Sequence, residues 1–327
     1  MSSKHYKFSS VFADEITAYL KLRESQGHKH LRERRYFVSL DRSLLSANVV
    51  NKELPAPVVE CWLQSLPPDM SVNTKIVYIS HYSQFARYLN TFGLTAFIPE
   101  RPVDDKSYIP YVFSEEEMGR IFVSADNFAN GRRKSNFADL QFPILLRILY
   151  GCGLRLDEAL TLQVGDVDVK SGVMLIRNAK GNKDRLVPID ESLANILNRY
   201  ISLNHKNNPI DMLMFSNRKG ERHSGTIMRH WFNITLERAG IEKPELPRYS
   251  RNICLNCLRH TFAVRSFRKQ DLAGIDMYSA APLLSTYMGH ERIYGTEKYL
   301  HMTAENSADI IEKTAAYSVG LFPEVPR

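Results

Sequence analysis

Long apolar runs are missing from this chain, and so are the marks of secretion. The best apolar stretch, Phe142 to Leu149, is interrupted by Pro143 and Arg147, so no segment is long enough to span a bilayer as a helix. The first residues, Met1 to Tyr6, lack the apolar core of a signal peptide. The chain is therefore expected in the cytosol, and its four cysteines, Cys61, Cys152, Cys254 and Cys257, are expected to be reduced thiols. Cys254 and Cys257 form a C-x-x-C with His260 nearby. A second ligand pair at zinc spacing is absent, so no metal is expected there. Internal repeats and low-complexity tracts are also lacking. A strong charge of one sign is not found either. The net charge of +7 and pI of about 9.1 are a mild basic tilt that suits a phosphate-bearing partner and alone decides little.

What is present is 327 residues, 44% of them hydrophobic and 24% charged. That describes a folded protein long enough for two domains. Residues 9–26 place Phe12, Ile16, Tyr19 and Leu20 at helical spacing, with Gly27 as a stop. A second helix is expected over 31–45, with Tyr36, Phe37, Leu40 and Leu44 inward and Arg32, Arg34, Arg35 and Arg42 on its polar face. His28 and Lys29 lie just before it. Such a basic face is ordinarily a solvated one, and contact with a DNA backbone is the alternative. Pro55 and Pro57 open a third helix near Val58 to Leu66, and Ser71 starts a fourth that ends at Gly93. Four helices on short links predict an all-α N-terminal domain over 1–105.

The segment Phe97 to Val112 carries three prolines and no sustained period, and is expected to be an extended linker. Ser114 followed by Glu117 is a capping box that starts the next helix. Residues 139–151 form a nearly all-apolar helix, broken at Gly151 and Gly153, with a new helix beginning near Arg155. Short strands are expected over 164–169, 172–177 and 184–189, and helices over 190–204 and 226–239. From Leu258 onward the pattern is mostly helical. The second domain, 106–327, is thus mixed α/β, in a chain that is mostly α with a small β-sheet.

Several short motifs stand in order along that second domain: Gly153, Leu154, Arg155 and Glu158; Lys180, Gly181 and Lys183 on a hairpin tip; Asn256, Leu258, Arg259 and His260; Gly289 and His290; and Tyr299. Each taken singly has an ordinary structural reading as a helix end, turn lysine, cap or core tyrosine. Taken in order, they resemble the tyrosine recombinase (phage integrase) family. The motifs carry the likeness over about 110–302, and layout alone carries it in the N-terminal helices. The family's boxes have the forms Gly-Leu-Arg-x-x-Glu-Leu, Gly-Lys-Gly-x-Lys, His-x-Leu-Arg-His and Leu-Gly-His, followed by a tyrosine.

The resemblance implies that Tyr299, and not Tyr294, attacks a DNA phosphodiester to leave a 3′-phosphotyrosine and a 5′-hydroxyl. It implies that Arg155 and Arg259 clamp the non-bridging oxygens with forked donors. His290 would donate to the same phosphate, and Lys180 would protonate the departing 5′-oxygen. Glu158 and His260 would support the site. No metal or other cofactor is implied, since the arginines neutralise the charge. Lys29, Arg32, Arg35, Lys183 and Arg185 are the expected DNA contacts. The partner is double-stranded DNA bearing inverted half-sites, clamped by both domains. Protomers would act as a dimer on one site and a tetramer in the synapse, with a helix over 305–317 docking on a neighbour or on its own domain.

Two positions depart from the family pattern. Asn256 stands where the family most often has histidine, and an amide cannot act as acid or base. Residues 268–282 look long, and a surface insertion is expected there. The competing readings are a DNA-binding protein that has lost cleavage, a type IB topoisomerase, and a helical scaffold that never meets DNA.

Overall fold

A computed structural model describes residues 6–27, 33–104, 108–127, 138–179, 183–246, 252–290, 293, 295–297, 299 and 300. The chain divides into two compact units, Met1–Tyr108 with Glu245–Arg251, and Ile109–Pro244 with Asn252–Arg327.

In the first unit, α1 (Ala13–Ser25), α2 (Glu33–Ser46), α3 (Ala56–Gln64) and α4 (Val72–Thr91) gather around aromatic side chains. Tyr19, Phe37 and Phe85 meet edge to face with centroids 5.2–5.6 Å apart, joining α1, α2 and α4. The local chemistry explains the boundaries. Pro55 stands at the N-cap of α3, where its missing N–H costs nothing. Ser71 accepts from the Thr74 N–H to cap α4. Asp41 is fully buried yet satisfied, accepting from the Tyr6 hydroxyl at 2.8 Å and the Ser10 N–H at 3.0 Å. The unit is not purely helical: β1 (Glu53–Leu54) pairs in parallel with β2 (Thr95–Ala96). Two residues in each strand are too few for an alternating pattern to show in the sequence.

The second unit begins with α5 (Glu115–Asp126), started by the reciprocal bonds of the Ser114–Glu117 capping box. The buried α6 (Ala138–Cys152) and short α7 (Leu156–Leu160) follow. The strands β3 (Val167–Asp168), β4 (Val173–Ala179) and β5 (Lys183–Pro188) make an antiparallel sheet in that order. The first expected strand is shorter than its apolar pattern suggested, because Val164–Asp166 is a 3-10 turn closed by Asp166 accepting from the Gln163 N–H. Then come α8 (Glu191–Asn204), α9 (Gly225–Arg238), α10 (Asn256–Leu272) and α11 (Met277–Met288). Residues 268–282, where a surface insertion is expected, are helix and turn, and exposed over most of their length. Those residues are the end of α10, a turn at Gly274 and the start of α11, with Ala280 and Ala281 buried in a shared core. Pro282 lies inside α11, so the Tyr278 carbonyl one turn earlier has no proline N–H to accept from.

Thr261 ties α10 to the chain before α5. Its buried hydroxyl accepts from the Phe113 N–H at 2.9 Å and donates to the Cys257 carbonyl at 2.8 Å. Thr261→Val keeps the shape and strands that N–H, so a loss of about 1–3 kcal/mol is expected in urea denaturation. A loss below about 0.5 kcal/mol would mean the N–H had found another partner.

Candidate active site

The site is assembled at the C-terminal end of α11. A helix end leaves its last carbonyls without intrahelical partners and carries partial negative charge. Here three successive carbonyls each accept from a different arginine. Arg185 Nε donates to Tyr287 O at 2.9 Å, Arg259 Nη2 to Met288 O at 2.7 Å, and Arg155 Nη2 to Gly289 O at 2.9 Å. Arg155 arrives from the N-cap of α7, Arg259 from the first turns of α10, and Arg185 from β5.

Glycine is required at two points of this arrangement. Gly289 has φ +66°, and a Cβ there would stand 2.8 Å from Arg185 Nη1. Gly153 has φ +59°, and its Cβ would meet the Phe262 ring at 2.3 Å. That close approach lets the Gly153 carbonyl accept from Arg259 Nη1 at 2.5 Å.

One carboxylate serves two of the three cations. Glu158 accepts from Arg155 Nη1 at 2.7 Å, from the Arg155 backbone N–H at 2.9 Å, and from Arg185 Nη2 at 2.9 Å. Burial pushes the Glu158 carboxyl up, but the hydrogen bonds and charges of Arg185 and Arg155 outweigh it and hold the group below its ordinary range. A depressed folded value means that this stabilisation is complete above the unfolded value of about 4.3 and is lost as pH falls through the folded one. The stability difference between the parent and Glu158→Gln, measured in urea, is therefore expected to be flat above about pH 5 and to shrink in more acidic buffer. A difference that grew on acidification would contradict this sign.

Arg259 is 3% exposed. Burial first, and the neighbouring Arg155 charge second, bring its guanidinium down to about 10, still protonated at neutral pH. Three guanidiniums around one carboxylate leave a net positive site suited to an anion.

The two histidines are each held by the short terminal segment. His290 Nε2 accepts from Arg259 Nη2 at 2.9 Å, since a guanidinium can only donate. Its Nδ1–H is then the donor to Thr296 Oγ1, 2.7 Å away. In this state His290 has no Nε2 proton to offer a phosphate, and the expected donation requires Arg259 to let go. His260 Nδ1 lies 2.7 Å from the Tyr299 hydroxyl, and its Nε2 lies 2.7 Å from Asn256 Nδ2. Tyr299 is 1% exposed. Thr296 and Tyr299, three residues apart on one helical face, thus address the two imidazoles in turn.

The structure brings Arg155, Glu158, Asn256, Arg259, His260, His290 and Tyr299 into this network. Arg185 corrects an expectation. It was assigned to DNA, but its guanidinium turns inward to Glu158 and Tyr287 because β5 faces the end of α11. The sequence did not single out Thr296; its only signal was the spacing to Tyr299. Arg35 is exposed, beside a surface recess of about 590 Å³ in the first unit that Arg42, Ser39 and Tyr78 also line. Lys29, Arg32, Lys180, Tyr294 and the helix expected over 305–317 lie outside the described residues, as does the side chain of Lys183, which opens β5. Among the described residues no group of three or more His, Cys, Asp or Glu could hold a metal ion, and no helix is long and apolar enough to cross a membrane.

Comparison with known proteins adds independent findings. A model of the phage integrase family matches residues 112–306. A tyrosine recombinase of Thermosipho africanus is 29% identical over 242 residues, covering 72% of this chain and 74% of its own length. The putative integrase/recombinase y4rB of Sinorhizobium fredii is 26% identical over 300 residues, covering 89% and 93%. Among solved structures, XerH site-specific recombinase bound to its difH substrate in a pre-cleavage complex superposes with a TM-score of 0.63 at 19% identity, over 86% of this chain and 77% of that one. The Tn1549 transposon integrase in complex with circular intermediate DNA gives 0.63 at 17% identity, over 93% and 99%. At these identities the structural likeness speaks of fold.

Proposed function

The chain belongs to the phage integrase family of tyrosine recombinases, enzymes that cleave and exchange DNA strands, and from that premise we propose that it is a site-specific recombinase using Tyr299 as nucleophile, serving a mobile element such as a phage or transposon. The observation that carries this reading is the gathering of a buried phenol, two imidazoles and three guanidiniums around one helix end.

The Tyr299 oxygen attacks the scissile phosphorus while the P–O5′ bond breaks, giving a 3′-phosphotyrosine and a free 5′-hydroxyl. The transition state gathers charge on the non-bridging oxygens, and Arg155 and Arg259 are the forked donors placed to meet it. Both already donate to neutral carbonyls. An anionic phosphate is the stronger acceptor, so exchange of partners favours its binding. Lys180 is the proposed acid for the 5′-oxygen. The bond energy is kept in the phosphotyrosine, so a 5′-hydroxyl from another strand rejoins DNA without ATP. Both units contact duplex DNA, with Arg35 among the phosphate contacts of the first. Protomers act as a dimer on one site and a tetramer in the synapse.

The test is covalent trapping on nicked duplexes drawn from the DNA flanking the gene, without ATP and with a chelator present. A protein–DNA adduct that survives denaturant, with Tyr299 as the modified residue, is the expected result. No adduct on any such duplex at low salt would overturn the reading. Relaxation of supercoiled plasmids without a special site would redirect it to a topoisomerase.

A further inference from the structure

We propose that His260 is the base that takes the phenolic proton of Tyr299, with Asn256 selecting the imidazole tautomer in which it can do so. This rests on Tyr299 being the nucleophile.

A phenol with an ordinary pKa near 10 must lose its proton as the bond to phosphorus forms. Tyr299 is 1% exposed, so bulk water is not at hand to take it. His260 Nδ1, 2.7 Å from the hydroxyl, is already within transfer distance. It sits on α10 directly after Arg259, so one turn of helix presents the phosphate clamp and the base together.

The other ring nitrogen decides whether Nδ1 can accept. Asn256, one helical turn earlier, reaches Nε2 at 2.7 Å. With Nδ2 facing the ring, the amide donates to Nε2, the imidazole proton sits on Nδ1, and Nδ1–H donates to the phenol oxygen. That is a resting arrangement, since this nitrogen has no lone pair to offer. With the amide turned over, Oδ1 accepts from Nε2–H and the Nδ1 lone pair faces the hydroxyl. In this form the proton passes from Tyr299 Oη to Nδ1 as the Oη–P bond forms and the P–O5′ bond breaks. The imidazolium keeps its Nε2–H bond to Oδ1. When a 5′-hydroxyl later attacks the phosphotyrosine, its proton passes to the Lys180 amine that gave one up in the first step, Nδ1 returns its proton to the departing phenol oxygen, and the balance closes. The position at which the chain departs from the family pattern is, on this account, the tautomer selector and not a lost catalyst.

The experiment measures the rate of covalent adduct formation on two nicked duplexes, one with the ordinary 5′-oxygen at the scissile phosphate and one with a bridging 5′-sulfur. A thiolate leaves without a proton, so sulfur restores a variant that lacks the leaving-group acid but not one that lacks the nucleophile's base. His260→Gln is expected to react about 100-fold slower than the parent on both substrates, with unchanged gel-shift affinity. Recovery on sulfur would overturn the proposal by assigning His260 to the leaving group. A rate equal to or above the parent's would overturn it too, marking the contact as a place where the nucleophile is stored.

Asn256 is exposed, so its substitution leaves the core intact. Aspartate can only accept from Nε2–H and so enforces the working tautomer. Asn256→Asp is expected to react about tenfold faster than Asn256→Leu on both substrates; equal rates, or the reverse order, would overturn the selector role. An adduct that persists in Tyr299→Phe would instead sink the nucleophile assignment, whereas its loss there beside a fully active His260→Gln would sink only the base.

Discussion

Tyr299→Phe is expected to bind duplex DNA as the parent does and to form no covalent adduct with it, a loss on the order of 10⁴-fold or more. Phenylalanine keeps the ring in the core that Leu300, Met288 and Phe267 share with it. It removes the oxygen proposed to bond to phosphorus. The same change removes the hydroxyl that His260 Nδ1 meets at 2.7 Å, and losing a buried hydrogen bond costs about 0.5–1.5 kcal/mol. A modest fall in thermal stability should therefore accompany the loss of chemistry. Gel-shift affinity measured below the melting transition separates the two effects. Adduct formation at even one percent of the parent rate would point to another nucleophile.

Arg259→Lys is the second large effect, expected to lower the rate of adduct formation by about 10²–10³-fold with at most a few-fold change in DNA affinity. The guanidinium makes three bonds at once, to Gly153 O, Met288 O and His290 Nε2. A lysine ammonium is a point charge on a flexible stem and cannot hold those directions together. Burial also works against it. The burial and the Arg155 charge that lower the arginine disfavour a buried ammonium as well. Single-turnover trapping on nicked duplex measures the rate directly. A lysine variant within about fivefold of the parent would mean that charge alone, and not the fork, is what the site requires.

How much of this was legible beforehand differs from element to element. Helix starts were plain at Ser71, Ser114 and Asp190, because capping is a local bond between neighbours in sequence, while the Asp276 cap of α11 went unread. The paired strands β1 and β2 were not legible, since two-residue pairing across some forty residues leaves no periodic trace. Residues 268–282 looked long beside the family pattern, and only the fold shows them to be the end of α10, a turn and the start of α11. In the site, residue types in order were enough to nominate Arg155, Arg259, His290 and Tyr299. The direction of Arg185 was not, because a basic residue beside a hairpin tip suits a solvent face and a buried carboxylate equally well. His260 was assigned to support, and only the distance to Tyr299 Oη gives it a sharper role.

Three neighbouring carbonyls gripping three cations makes the end of α11 a yoke. Its arginines come from α7, β5 and α10, yet their heads are ganged to one short stretch of backbone. Inserting or deleting a single residue within α11 would swing Tyr287, Met288 and Gly289 by about 100° around the axis and unhitch all three together. This helix therefore has to keep its count.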